Sequence, residues 1–338
     1  MSFDSEILLA PMEGLADPLM REVLTSIGGY DWGICEFVRV TQSVLPRRTF
    51  LRTCPELSQG SRTLAGTPMR VQLLGSDPQF MAANARRLVA LQPAGIDLNF
   101  GCPAPTVFRH RGGSALLDEP QLLHAIASAV RAEIPAGVPF TAKMRLGIRD
   151  THKAIDCAQA LAAAGIDALI VHGRTKEDGY RPPARWAEIG KVAAALKIPV
   201  IANGEVWCLE DWRQIRQESA CAAVMLGRGA LANPFLARQI RAGEAHDAPA
   251  VWRALQPFLA RYWQGVRQRV LPEHAGGRLK QWLMLLRRQM LAAENLYAQL
   301  RPLKTAEAID AQLIAQGILP ADFAAHFSLE SPSFPYAN

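Results

Sequence analysis

Eight short apolar runs recur along residues 6–229, and each is followed by a turn and then by residues with helical periodicity. The first, Ile7-Leu8-Leu9-Ala10-Pro11, precedes an expected helix over Pro18–Ile27, and the second covers 32–38 and ends at Arg39. The third, Met69–Leu74, leads into a helix expected to reach about Leu91, with Asp77 as N-cap and Pro78 at its first position. Runs four to eight begin near Gly95, Phe140, Ala168, Pro199 and Ala222, with helices expected over 119–133 and 151–164 after the fourth and fifth. Runs this rich in Val, Ile, Leu and Ala are buried on both faces, as a parallel sheet covered by helices requires. Eight β-then-α units match a closed (β/α)₈ TIM barrel better than an open doubly wound sheet. The second crossover, residues 41–68, carries Pro46, Pro55 and Pro68 and leaves room for only a short helix.

After about Gly243 the pattern changes. Residues 249–318 keep helical periodicity without strands, so the expected division is a barrel over 1–243 and a small all-α domain over 244–338, with an irregular tail around 331–335. Leu279, Trp282, Leu283, Leu286 and Met290 form one apolar stripe, opposite Arg278, Lys280, Gln281, Arg287 and Arg288. Charge follows the same division. Of the formal +6, residues 247–304 hold ten Lys/Arg against Asp247, Glu273 and Glu294, a net of +7, so the remainder sums to −1. A basic excess confined to a helical segment fits either a solvated face or an anionic polymer.

Other classes are disfavoured. No run of 18 uncharged apolar residues reads as a membrane span, and the acidic Met1–Glu6 stretch lacks the basic start of a signal peptide. Six scattered cysteines without a CxxC pair argue against a disulfide framework or a cysteine metal site, and favour a reducing cytoplasm. No His/Asp/Glu spacing suggests a metal. Neither a GxGxxG nor a GxxxxGK[ST] run occurs.

Barrels place chemistry on the loops after their strands. Those ends deliver Pro11-Met12-Glu13, Arg39, Gln72, Asn99 with Cys102, Lys143 with Arg145, His172 with Arg174, Asn203-Gly204-Glu205 and Gly227-Arg228. In the fourth, Gly101, Pro103 and Pro105 end the strand abruptly and display Asn99 and Cys102. Each residue has a structural alternative: Cys102 as turn packing, His172 bonded to a carbonyl, Lys143 paired with Glu205. Gly204, Gly227 and Gly229 with Arg228 form a candidate phosphate cradle, which points to a phosphate-bearing cofactor such as FMN. Lys143 is then placed to stabilise the anion of a reduced flavin ring.

Taken together, Leu9-Ala10-Pro11-Met12-Glu13-Gly14, Val71-Gln72-Leu73, Asp97–Pro103, Lys143-Met144-Arg145, Val171–Thr175, Asn203-Gly204-Glu205 and Gly227-Arg228-Gly229 resemble the tRNA-dihydrouridine synthases. These are flavin enzymes that reduce uridines of the tRNA D-loop. Glu36–Val40 and Arg278-Leu279-Lys280-Gln281-Trp282-Leu283 resemble the bacterial C-type branch, which modifies position 16. The resemblance implies that Pro11, Met12, Glu13, Gln72, Lys143, His172, Asn203, Gly204, Glu205, Gly227 and Arg228 line an FMN site. It implies Cys102 as proton donor, and tRNA contacts from Arg39, Asn99, Arg145, Arg278, Lys280 and Arg301. NADPH or NADH would reduce FMN, hydride would pass to C6 of a flipped-out uracil, and C5 would take the proton of a neutral Cys102. The implied protein is a cytoplasmic monomer. Two departures stand out: 107–111 is bulkier and more basic than the family's small-residue loop before Gly112-Gly113, and Leu285 replaces a polar contact. Two rival readings are an FMN barrel acting on a small pyrimidine, like dihydroorotate dehydrogenase, and a non-catalytic RNA-binding barrel. The basic helical region argues against the first, and an FMN-bearing protein would argue against the second.

Overall fold

The computed structural model describes residues 6–323, so the expected tail around 331–335 lies outside the described residues. Nine strand segments form one parallel sheet: β1 (Ile7–Leu9), β2 (Trp32–Ile34), β3 (Val38–Arg39), β4 (Met69–Leu74), β5 (Ile96–Phe100), β6 (Phe140–Arg145), β7 (Ala168–His172), β8 (Val200–Asn203) and β9 (Val224–Leu226). Their order is β2-β1-β9-β8-β7-β6-β5-β4-β3, and a further β2–β4 pairing closes the ring. It is a TIM barrel, with eight strand positions. The second position is split, because both β2 and β3 pair with β4: Ile34 lies opposite Arg70 and Val38 opposite Leu73. Four steps on one strand match three on the other, so one extra residue bends the chain at Cys35-Glu36-Phe37. The sequence reading had a single strand there.

Around the ring stand α1 (Pro18–Ile27), α2 (Arg47–Thr53), α3 (Pro78–Val89), α4 (Pro105–Arg109), α5 (Pro120–Arg131), α6 (Ala154–Ala163), α7 (Trp186–Ala194), α8 (Leu209–Ser219), α9 (Arg228–Ala232) and α10 (Leu236–Ala242). Asp77 caps α3, accepting from the backbone N–H of Gln79 at 2.8 Å and of Phe80 at 3.1 Å. The expected loop 107–111 is largely helix, since Pro105 starts α4 and Arg111 takes a left-handed φ of 52° beyond it. Period-two alternation divides the strands between two cores. Ile7, Leu9, Val71 and Leu98 face the helices, whereas Leu8, Trp32, Ile34, Ile170, Ile201 and Met225 form a separate cluster inside the barrel.

Beyond the barrel come α11 (Ala248–Arg269), α12 (Pro272–Leu286), α13 (Leu291–Leu300) and α14 (Ala306–Ala315). The stripe Leu279, Trp282, Leu283, Leu286 and Met290 is buried throughout, although α12 stops four residues before Met290. These helices sit directly on the barrel. Gly265 of α11 brings its backbone close to α1: a Cβ there would come within 2.5 Å of the Leu19 side-chain tip and push it aside. Trp282 stacks edge-on against Tyr262 at 4.9 Å and donates its indole N–H to the Leu231 carbonyl at 3.1 Å. No described helix is long and apolar enough to cross a membrane.

Candidate active site

A cavity of about 460 Å³ opens at the C-terminal end of the strands, within the range of roughly 300–1,000 Å³ usual for cofactor sites. Its lining includes Pro11, Met12, Glu13, Gln72, Asn99, Cys102, Lys143, Arg145, His172, Asn203, Gly204, Glu205, Gly227 and Arg228. All eleven residues expected to contact FMN therefore meet at one mouth, together with Cys102 and two of the six expected RNA contacts. Arg39 borders a second cavity with His110 and Arg111, and neither Lys280 nor Arg301 lines the first.

The cysteine turn is held from two sides. The Asn99 Oδ1 accepts from the backbone N–H of Gly101 at 3.0 Å and of Cys102 at 2.8 Å, while its Nδ2 donates to Gln72 Oε1 at 2.8 Å. Opposite, the Cys102 carbonyl accepts from the Ser114 backbone at 3.1 Å and from its hydroxyl at 2.9 Å. Gly113 has φ +57°, and a Cβ there would lie 2.8 Å from that carbonyl, so this position demands glycine. Burial pushes the Cys102 thiol up, against a smaller opposing pull from the Ala104 N–H. The thiol is thus protonated at neutral pH, unlike an activated thiolate.

The rest of the mouth is short of anions. Burial, with Arg145 alongside, lowers Lys143 to about 8, and its ammonium makes no hydrogen bond or ion pair among the described residues. Burial holds His172 well below its ordinary value, assisted by Arg145, Lys143, Arg174 and Arg228. Its Nδ1 is buried and has no hydrogen-bond partner among the described residues, so the alternative of a carbonyl-satisfied histidine does not hold for that atom. Arg228 lies 4.4 Å from the Tyr180 ring and 5.3 Å from the Trp207 ring, with no carboxylate partner among the described residues. Glu205, a sequence candidate for pairing with Lys143, instead pairs with Arg174 and accepts from the Trp207 indole at 2.8 Å. Gly204 permits a close approach: a Cβ would sit 3.1 Å from the His172 ring. At Gly229 it would meet the Val206 carbonyl at 1.9 Å. Repelling cations and an orphaned imidazole nitrogen beside a glycine cradle suit an anionic, planar ligand with a phosphate, and FMN fits that donor set.

Arg145 is buried and donates from Nε to the carbonyl of Gly101 at 2.9 Å and from Nη1 to those of Thr175 at 2.8 Å and Gly179 at 2.9 Å. Arg278 donates to the Gly14 carbonyl at 2.7 Å and pairs with Asp17, so it clamps α12 to the loop after β1. Lys280 donates to the carbonyls of Arg301 at 3.3 Å and Leu303 at 2.6 Å. Tyr180, Trp207, Phe37 and Ser114 were missed in the sequence. Trp207, two residues past Glu205, was the most accessible signal. Tyr180 sits far along the loop after β7, where strand periodicity gives no guide. Among the described residues no group of three or more His, Cys, Asp or Glu side chains is placed to hold a metal ion.

A family model described as dihydrouridine synthase matches residues 8–303. The tRNA-dihydrouridine(16) synthase of Aquipseudomonas alcaligenes is 52% identical over 312 residues, covering 92% of this chain and 99% of that protein. The enzyme of the same name from Ralstonia nicotianae is 52% identical over 301 residues, covering 89% and 92%. Among solved structures, a 2-naphthoyl-CoA reductase complex superposes with TM-score 0.55 at 10% identity over 71% of this chain and 50% of that one. Histamine dehydrogenase from Rhizobium sp. 4-9 gives 0.55 at 13% identity, over 77% and 48%. These structural likenesses bear on the fold alone.

Proposed function

The chain belongs to the dihydrouridine synthase family, and from that premise we propose that it reduces uridine 16 in the D-loop of tRNA, using FMN and NADPH. The position follows the name shared by its relatives. The observation that carries the chemistry is a neutral, rigidly held Cys102 on the same cavity as an unpaired Lys143 and an unsatisfied His172.

Bound FMN, once reduced by NADPH, supplies the hydride for C6 of the uracil. Gly204, Gly227 and Arg228 would hold its phosphate, and Lys143 and His172 would offer hydrogen-bond donors and positive charge to its polar groups. Cys102 gives its proton to C5 from the opposite face, and the pushed-up pKa keeps that proton in place at neutral pH. Asn99 retains one amide hydrogen for the base, because its other groups are engaged by the turn and by Gln72. A base reaches this cavity only outside its stack, so the target uridine is flipped. Residues 244–338 form the tRNA-binding domain in this reading, with Arg301 and Lys280 on its RNA side and Arg39 near the mouth. Arg145 and Arg278 act by positioning the loops they bind. Six free cysteines suit a reducing cytoplasm, where the protein works as a monomer.

The test is to map dihydrouridine in tRNA from cells lacking this protein. The expected result is loss at position 16, restored by the wild-type gene. Loss at another position would overturn the branch assignment, and an unchanged map would overturn the function.

A further inference from the structure

The inside of the barrel is divided. Below the rim residues His172 and Asn203 it is apolar over β1, β2, β7, β8 and β9, whereas Gln72, Asp97, Asn99, Thr141 and Lys143 on β4, β5 and β6 are polar and stacked in layers. Gln72, Asp97 and Thr141 lie opposite one another across the three strands, and Asn99 and Lys143 form the next layer toward the mouth. A carboxylate this deep is costly unless it is satisfied. Asp97 is fully buried, and it accepts from the Thr141 hydroxyl at 2.6 Å and from Gln72 Nε2 at 2.7 Å.

Those bonds have a direction. An ionised carboxylate only accepts, so Gln72 must turn its amide nitrogen down toward Asp97 and its oxygen up. That oxygen takes a hydrogen from Asn99 Nδ2 at 2.8 Å. Asn99 is thereby left with its oxygen toward the N–H groups of Gly101 and Cys102, the only arrangement in which both are satisfied. The charge at Asp97 fixes the orientation of two amides in series, and the second amide builds the turn that carries the thiol.

We propose that Asp97 is a positioning residue for proton donation, orienting Gln72 and Asn99 so that they hold the Cys102 turn in its productive geometry. The proposal rests on the reading of Cys102 as the acid. Two cations face Asp97, Arg70 on β4 and Lys143 on β6; burial lowers them to about 10 and about 8, so both stay charged in mildly acidic solution. Burial raises the Asp97 carboxyl itself to about 6, with Thr141 and Gln72 opposing. Below that pH a protonated Asp97 donates to Gln72 Oε1, and the orientation of the relay is lost. His172 lies well below its ordinary value and does not supply that limb.

The test uses the flavin-loaded full-length protein and Asp97→Asn, a change of charge at constant shape. With FMN held saturating, flavin reduction by NADPH should change far less than the reaction with tRNA. Reoxidation of the reduced flavin by unmodified tRNA should slow roughly 10- to 100-fold at an unaltered KM, the scale of a small misplacement of a reacting group. The wild-type rate should fall as pH drops through about 6, and Asp97→Asn should lack that fall. Wild-type reoxidation, or an equal loss in flavin reduction, would overturn the proposal. Thr141→Val is the second variant: it removes a bond that holds the carboxyl down, so the acid limb should move to higher pH, and an unmoved limb would overturn the proposal even if Asp97→Asn does not fold. The two readings fail separately. A wild-type rate in Cys102→Ala removes the acid, whereas a wild-type rate in Asp97→Asn beside a slow Cys102→Ala removes only the relay.

Discussion

The barrel mouth and the basic helices both concentrate positive charge, but they use it differently. At the mouth, Lys143 and Arg228 have no carboxylate partner among the described residues, and His172 keeps a buried nitrogen unsatisfied. In the helices, four of the ten cations between Asp247 and Lys304 are committed to ion pairs: Arg261 with Glu22, Arg267 with Glu307 and Asp310, Arg278 with Asp17, and Arg287 with Glu294. Two of those pairs cross to acids of the barrel. Formal charge therefore overstates what the helices can offer a nucleic acid, whereas at the mouth Lys143 and Arg228 keep their charge for a ligand even though Arg145 is bound to carbonyls and Arg174 is paired with Glu205. The difference teaches that a cluster of cations signals a ligand only where its counter-charges are missing from the protein itself.

The comparison can be broken first at the mouth. Cys102→Ala should cut dihydrouridine formation by about 10²–10⁴-fold, the range of a general acid, with flavin content intact; product mapping by mass spectrometry checks it, and near-wild-type product would remove the thiol from the chemistry. Lys143 comes next. Its ammonium is lost as pH rises through about 8, so FMN binding by the apoprotein should weaken roughly tenfold or more across that step. Calorimetric titration on either side of pH 8 should show the step in the wild type and none in Lys143→Met.

In the helices the effects are smaller and of another kind. Arg278→Ala leaves Asp17 without its cation and should cost about 1–3 kcal/mol in urea unfolding, with the flavin still bound. A loss of tRNA affinity at unchanged stability would place Arg278 with the free cations. Arg301 and Lys304 have no carboxylate partner among the described residues, and each replacement by Ala should lower the slope of log affinity against log salt by about 1.

The mouth was legible because strand register converts position in the chain to position in the site. Gln72, Asn99, Lys143 and His172 lie in the C-terminal halves of their strands, and period-two alternation turns them inward. The loop after β7 obeys no such rule, so Tyr180, which stacks under both Arg145 and Arg228 at 5.3 and 4.4 Å, left no trace in the pattern. Nor was the break in the second strand visible, since Cys35, Glu36 and Phe37 continue its apolar run and only pairing with β4 exposes the extra residue. The helical stripe was read correctly as buried. On its basic side Arg278 pairs with Asp17, far away in the chain, and periodicity carries no information about so distant a contact. Asp97 was visible as a residue but not as a role, which depends on the direction of three hydrogen bonds.

The most direct measurement mixes the NADPH-reduced, flavin-loaded protein without oxygen with unmodified tRNA or with a free pyrimidine, and follows flavin reoxidation and product together. With tRNA, reoxidation should be fast and match dihydrouridine at position 16 one for one, while the free pyrimidine leaves the flavin reduced. Equal reoxidation by the free pyrimidine, or reoxidation by tRNA without dihydrouridine, would contradict the account.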